Sequence, residues 1–110
     1  MAGREEMAGR AGVPERCLFR ATLWRAEAQD AWYFLTLPPD ASATVRQRPR
    51  APRGFGSVRV EVTVGGTTWR TSVFPDAASG CFVLPVKKAV RLAEDLEEGE
   101  PVDVELEVLE

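Results

Sequence analysis

The chain has 110 residues, 45% of them hydrophobic and 28% charged, with a net charge of −3. This length holds one packed core, not two, and the composition is that of a globular protein, neither disordered nor fibrous. Histidine is absent, which removes the commonest general base and zinc ligand, and two cysteines, Cys17 and Cys81, are too few for a disulfide framework or a metal knuckle, so they read as small buried hydrophobes.

Residues 1–16 repeat Met-Ala-Gly-Arg at 1–4 and 7–10 without apolar periodicity and read as a flexible tail. They hold Arg4, Glu5, Glu6 and Arg10 and no apolar run long enough for a signal peptide. No segment approaches the ~20 apolar residues of a membrane span. A cytoplasmic protein without membrane contact is the expectation. The excess of arginine over lysine, with no isoleucine or asparagine, points to a GC-rich bacterial genome.

From Cys17 onward, Cys17, Phe19, Ala21 and Leu23 alternate with Leu18, Arg20, Thr22 and Trp24, the period of a strand, which leaves Trp24 on the outward side. A polar turn over Glu27–Asp30 leads to a second strand, Trp32–Leu37, which stops at Pro38-Pro39 and completes a hairpin. Asp40 and Ser42 are placed to cap a short helix running to about Gln47, and Pro49 and Pro52 stop it. An arginine-rich loop follows.

Val58, Val60, Val62 and Val64 share one face, and Gly65-Gly66 supplies the positive φ angles of a two-residue hairpin. That turn sets Val62 opposite Trp69, Val60 opposite Thr71, Val58 opposite Val73 and Glu61 opposite Arg70. Pro75 ends this strand, Asp76–Gly80 turns the chain, and the run Cys81–Leu84 is a short strand leading into Pro85. Val86, Ala89, Val90, Ala93 and Leu96 recur at helical spacing, so the pattern predicts one amphipathic helix over 86–96, begun by Pro85 and followed by a turn at Gly99. Pro101–Leu109 alternates Val102, Val104, Leu106 and Val108 with Asp103, Glu105 and Glu107, a strand with one wet, acidic face.

Charge is divided along the chain. Residues 43–91 carry nine bases and two acids, whereas residues 92–110 carry nine acids and no base. The first expectation is that these segments pair across the fold. The other reading is an interaction surface. Arg46, Arg48, Arg50 and Arg53 put four guanidinium groups within eight residues, able to grip phosphates or carboxylates. Lys87, Lys88 and Arg91 sit at the start of the predicted helix, beside N–H groups with no partner within it, while Glu94, Asp95, Glu97 and Glu98 at its end invert the order a helix dipole prefers. These four arginines with Lys87, Lys88 and Arg91 form the candidate anion-binding site.

Its partner is an anionic ligand of unspecified kind. Nucleic acid is not favoured: Phe55 is placed to stack on a base, but the prolines of the loop, the missing lysines and the overall acidity are unlike a dedicated nucleic-acid module. No Ser, Cys or Lys has an evident base beside it, and no cofactor or metal motif is present, so the first functional reading is a non-enzymatic binding module.

Seven blocks occur in order. They are the Phe19-x-Ala21-x-Leu23 strand, Trp32-Tyr33-Phe34-Leu35-Thr36-Leu37-Pro38, Arg53-Gly54-Phe55-Gly56-Ser57-Val58-Arg59-Val60, and Gly65-Gly66-Thr67-Thr68-Trp69-Arg70-Thr71-Ser72, then Phe74-Pro75-Asp76, Leu84-Pro85-Val86-Lys87-Lys88-Ala89-Val90-Arg91, and Leu96-Glu97-Glu98-Gly99. Together, across roughly residues 17–108, this set resembles the bacterial family called domain of unknown function nineteen-oh-five, with Gly99-Glu100 where that family usually has Gly-Asp. The resemblance implies no established activity and a mainly β fold, a closed barrel of about six strands of the double-split type. One amphipathic helix near the C-terminus and a short helix after the second strand complete the expected architecture. In a barrel of this size side chains fill the interior, so most of Trp32, Trp69, Tyr33, Phe34, Phe55 and Phe74 read as core.

Strand, Leu-Pro, helix, Glu-Gly, strand is also the order of the swapped-hairpin transcription factors of the transition-state regulator and antitoxin class, which are DNA-binding dimers. A DNA-binding regulator is therefore the second reading. A dimer with salt-dependent DNA binding would mark it; a monomer indifferent to DNA would mark the first.

Overall fold

The structure is a computed structural model that describes residues 16–27, 32–47 and 56–109. Six strands, β1 (Arg16–Arg25), β2 (Tyr33–Thr36), β3 (Val58–Val64), β4 (Thr67–Asp76), β5 (Cys81–Pro85) and β6 (Pro101–Val108), close into a barrel in the order β1-β2-β5-β4-β3-β6. Every strand pairing among the described residues is antiparallel. Helix α1 (Pro39–Arg46) follows β2, and α2 (Lys88–Ala93) lies between β5 and β6. The six strands are those the periodicity implies, and their closure into a mainly β barrel with two helices is what the family resemblance implies. Of the expected tail, 1–16, residues 1–15 lie outside the described residues, and Arg16 opens β1 opposite Glu107.

Alternation decides which side of each strand is buried. Leu23, Leu35, Leu84, Val60, Val62, Val73, Leu106 and Val108 fill the centre, each at most 1% exposed. The β3–β4 hairpin has the expected register, Val62 opposite Trp69 and Glu61 opposite Arg70. Gly65 at its tip has φ 59, and a Cβ there would run into the Glu94 carboxylate. Trp24 lies on the outside, its indole N–H donating to Thr36 Oγ1 at 2.9 Å and its ring tilted against Phe34.

β6 closes the barrel between β1 and β3. Its acidic face is met by β1: Arg16 reaches Glu105 at 3.4 Å and Glu107 at 3.5 Å, and Arg20 holds both carboxylate oxygens of Asp103 at 2.7 and 3.3 Å. The Arg20 guanidinium keeps the Asp103 carboxyl below its ordinary pKa. In these pairs the acidic segment is neutralised by bases that precede the 43–91 stretch, because strand adjacency, not bulk charge, selects the partner.

Three local expectations are corrected. Pro75 does not end β4 but sits inside it opposite Phe82, tolerated because the β3 ladder stops at Val58↔Val73 and leaves Pro75 a strand neighbour on one side only. α1 has no side-chain cap; Pro38 holds the N-cap position, Pro39 starts the helix, and Ser42 is buried within it. α2 is shorter than 86–96 and is not begun by Pro85, which is the last residue of β5. Val86 still follows the sheet, its N–H donating to the Tyr33 carbonyl at 2.9 Å. Past Ala93 the chain turns at Asp95, φ 54, with Leu96 N–H on the Arg91 carbonyl and Asp95 N–H on that of Leu92, the paired bonds of a Schellman cap. Arg91 therefore stands in the last turn, where a cation suits the dipole, and Glu94 accepts a hydrogen bond from the Thr67 hydroxyl.

Candidate functional site

The barrel is parted on one side. The β4–β5 ladder runs only from Asp76↔Cys81 to Phe74↔Val83, whereas β4 continues along β3 to Thr67 and β5 continues along β2 to Pro85. The next pair in register would be Ser72 with Pro85, and proline has no N–H to donate. The strands separate there, and a cleft of about 760 Å³ opens between them, within the range of small-ligand sites.

Each wall comes from a different element. β4 contributes Trp69, Arg70 and Thr71; the end of β5 contributes Pro85, with Val86 and Lys87 just beyond it. Lys88 and Arg91 come from α2, Tyr33 from the start of β2 and Trp32 from just before it. Trp69 is the buried floor, and Trp32, 53% exposed, stands at the rim. Among the described residues, no lining residue is an acid.

A family model described as Domain of unknown function (DUF1905) matches residues 19–106. The chain belongs to that family. No curated protein matches it. The matched stretch takes in every residue of the cleft, so the cleft lies inside the DUF1905 unit.

The cations of this DUF1905 cleft are held differently. The Arg91 guanidinium lies 3.9 Å from the centre of the Tyr33 ring, and its Nε–H donates to the Val86 carbonyl at 3.3 Å, so it is positioned before any ligand arrives. Arg70 pairs with Glu61 at 3.6 Å on the outer surface, a pair worth only ~0–1 kcal/mol and readily exchanged. Lys87 and Lys88 are exposed, and among the described residues their ammonium groups have no ion pair.

Of the residues singled out from sequence, Lys87, Lys88 and Arg91 come together here. Arg46 does not: it ends α1, lies 5.5 Å from the Phe82 ring centre and donates to the Gly80 carbonyl at 3.1 Å. Arg48, Arg50 and Arg53, with Phe55, lie outside the described residues. The reason for convergence also changes. α2 has six residues, too few for its N-terminus to act as the site, and the charges gather because β4 and β5 part. Arg70, Trp32 and Tyr33 escaped the sequence reading as site residues; Arg70 carried a signal, since the hairpin register already placed it outward opposite Glu61.

Among the described residues no group of three or more Cys, Asp or Glu is placed to hold a metal ion. None of their helices is long and apolar enough to cross a membrane.

Proposed function

We propose that this DUF1905 protein is a non-enzymatic binding module that holds an anionic ligand in the cleft between β4 and β5. The observation that carries this reading is the joining of four cationic side chains, Arg70, Lys87, Lys88 and Arg91, to three aromatic rings around one opening with no lining acid among the described residues. Lys87 and Lys88 supply adaptable point charges, and Arg91, fixed on Tyr33, supplies a planar donor. Trp32 offers an exposed ring to an apolar or planar part of the ligand. Although the chain is acidic overall, a cleft whose described lining carries one sign of charge focuses its field and draws anions inward.

Titration with inorganic phosphate and with phenyl phosphate, followed by amide NMR, tests this. The expected result is shifts confined to the Trp32 indole, Val86–Lys88 and Arg91, larger affinity for the aryl ester, and loss of both in a Lys87→Glu, Lys88→Glu chain that remains folded. Shifts spread over all basic residues of the barrel and equal in the variant, or an oligonucleotide response that bypasses the cleft, would overturn the reading.

A further inference from the structure

Before its ladder with β5 begins at Phe74, the side of β4 that faces the cleft is, among the described residues, an unpaired sheet edge. Gly65-Gly66 closes the β3–β4 hairpin on the Val64↔Thr67 pair, so by antiparallel alternation Trp69 and Thr71 exchange hydrogen bonds with Val62 and Val60. The N–H and C=O of Arg70 and Ser72 then point the other way, toward β5. The far end of the strand agrees: Phe74 and Asp76, next in the same phase, are the residues registered with Val83 and Cys81. No β5 residue is registered with β4 beyond Phe74, so among the described residues Arg70 and Ser72 keep main-chain donors and acceptors turned to the gap.

An open edge is a template for another strand, and proteins usually blunt it with proline, charge or cover. Here the proline, Pro85, is on the opposite wall and prevents β5 from filling the gap, while the rim charges among the described residues are all of one sign. We infer that the cleft receives an extended acidic peptide as an added strand, its backbone exchanging hydrogen bonds with Arg70 and Ser72. This rests on the anion-binding reading and names the class of partner. Alternation fixes the pattern of the peptide: the residue opposite Arg70 faces outward, where an acid meets Arg70 and Lys87, and its neighbours face inward, where apolar side chains meet Trp69 and Thr71. The β3 side of the same strand already shows this pairing, with Glu61 opposite Arg70.

The test uses the full chain with three probes: capped Glu-Val-Glu-Val-Glu, the same peptide N-methylated on its central glutamate, and inorganic phosphate. The first peptide should slow hydrogen exchange at the Arg70 and Ser72 amides, and the N-methyl form should bind roughly tenfold more weakly, having lost a main-chain bond and gained a clash. Phosphate should shift Lys87 and Lys88 without protecting Arg70 or Ser72. Pro85→Ala, which supplies the missing donor and lets the β4–β5 ladder extend to Ser72, should weaken the peptide while the phosphate shifts persist. Equal affinity of the two peptides with unchanged exchange at Arg70 and Ser72 overturns the added strand and leaves the anion site standing. Silence toward all three probes overturns the anion site itself.

Discussion

Ser42 has no exposed surface, and its hydroxyl is bonded twice, donating to the Leu37 carbonyl at 3.3 Å and accepting the Phe82 N–H at 3.0 Å. It therefore ties α1 to β5 and satisfies a strand N–H that β2 does not reach. Ser42→Ala leaves that buried donor without a partner, at a cost of ~1–3 kcal/mol. Asp40→Ala, on the exposed side of the same helix, should stay within ~0.5 kcal/mol. Denaturant unfolding of both chains checks this, and an unchanged midpoint for Ser42→Ala would refute the role. Residue type alone made Asp40 and Ser42 look like alternative caps, because capping logic searches a few residues either way and Phe82 lies 40 positions on. The cleft divides in the same manner. Lys87, Lys88 and Arg91 are neighbours in sequence and were legible together, whereas Trp32, Tyr33 and Arg70 join them only once the barrel closes.

Elements whose signals are local were read correctly, and those ended by distant contacts were not. The Gly65-Gly66 hairpin needs only a two-residue turn and alternation on either side, so its register followed from the sequence. α2 misled because Leu96 continues the helical spacing, yet it packs against the core after a reversal at Asp95. Asp95 is the one non-glycine residue with positive φ among the described residues, at 54. A side chain there costs ~1 kcal/mol, and its negative charge sits at the helix end that disfavours it. Asp95→Gly is expected to stabilise the protein by roughly 0.5–1 kcal/mol and to raise the thermal midpoint by ~2–8 °C. A midpoint that falls would show that Asp95 makes a compensating contact.

At the scale of the whole molecule, the barrel can be parted between β4 and β5 because it is tied elsewhere. β6 lies two strands from β4 through β3 and three from β5 through β1 and β2, so its ladders close the side away from the cleft. From periodicity closure was legible only as a strand count, the closed barrel coming from the family resemblance; that β6 would take Arg16 and Arg20 as partners depended on its coming to rest beside β1, some 83 residues earlier. Val102, Val104, Leu106 and Val108 are each at most 3% exposed. At ~1.5–3 kcal/mol per side chain their burial is worth ~6–12 kcal/mol, an upper bound because the unfolded chain already hides some of that surface. A domain of this kind has ~5–15 kcal/mol in all. Removing β6 would also leave β1 and β3 as facing edges with bare apolar inner sides. A chain ending at Gly99 should therefore lose cooperative unfolding altogether, with no sharp thermal transition and no slowly exchanging amides in β3. If it kept a sharp transition, the hydrophobic closure contributed by β6 would be dispensable, and the barrel would have to be held by its β1-β2-β5-β4-β3 sheet alone.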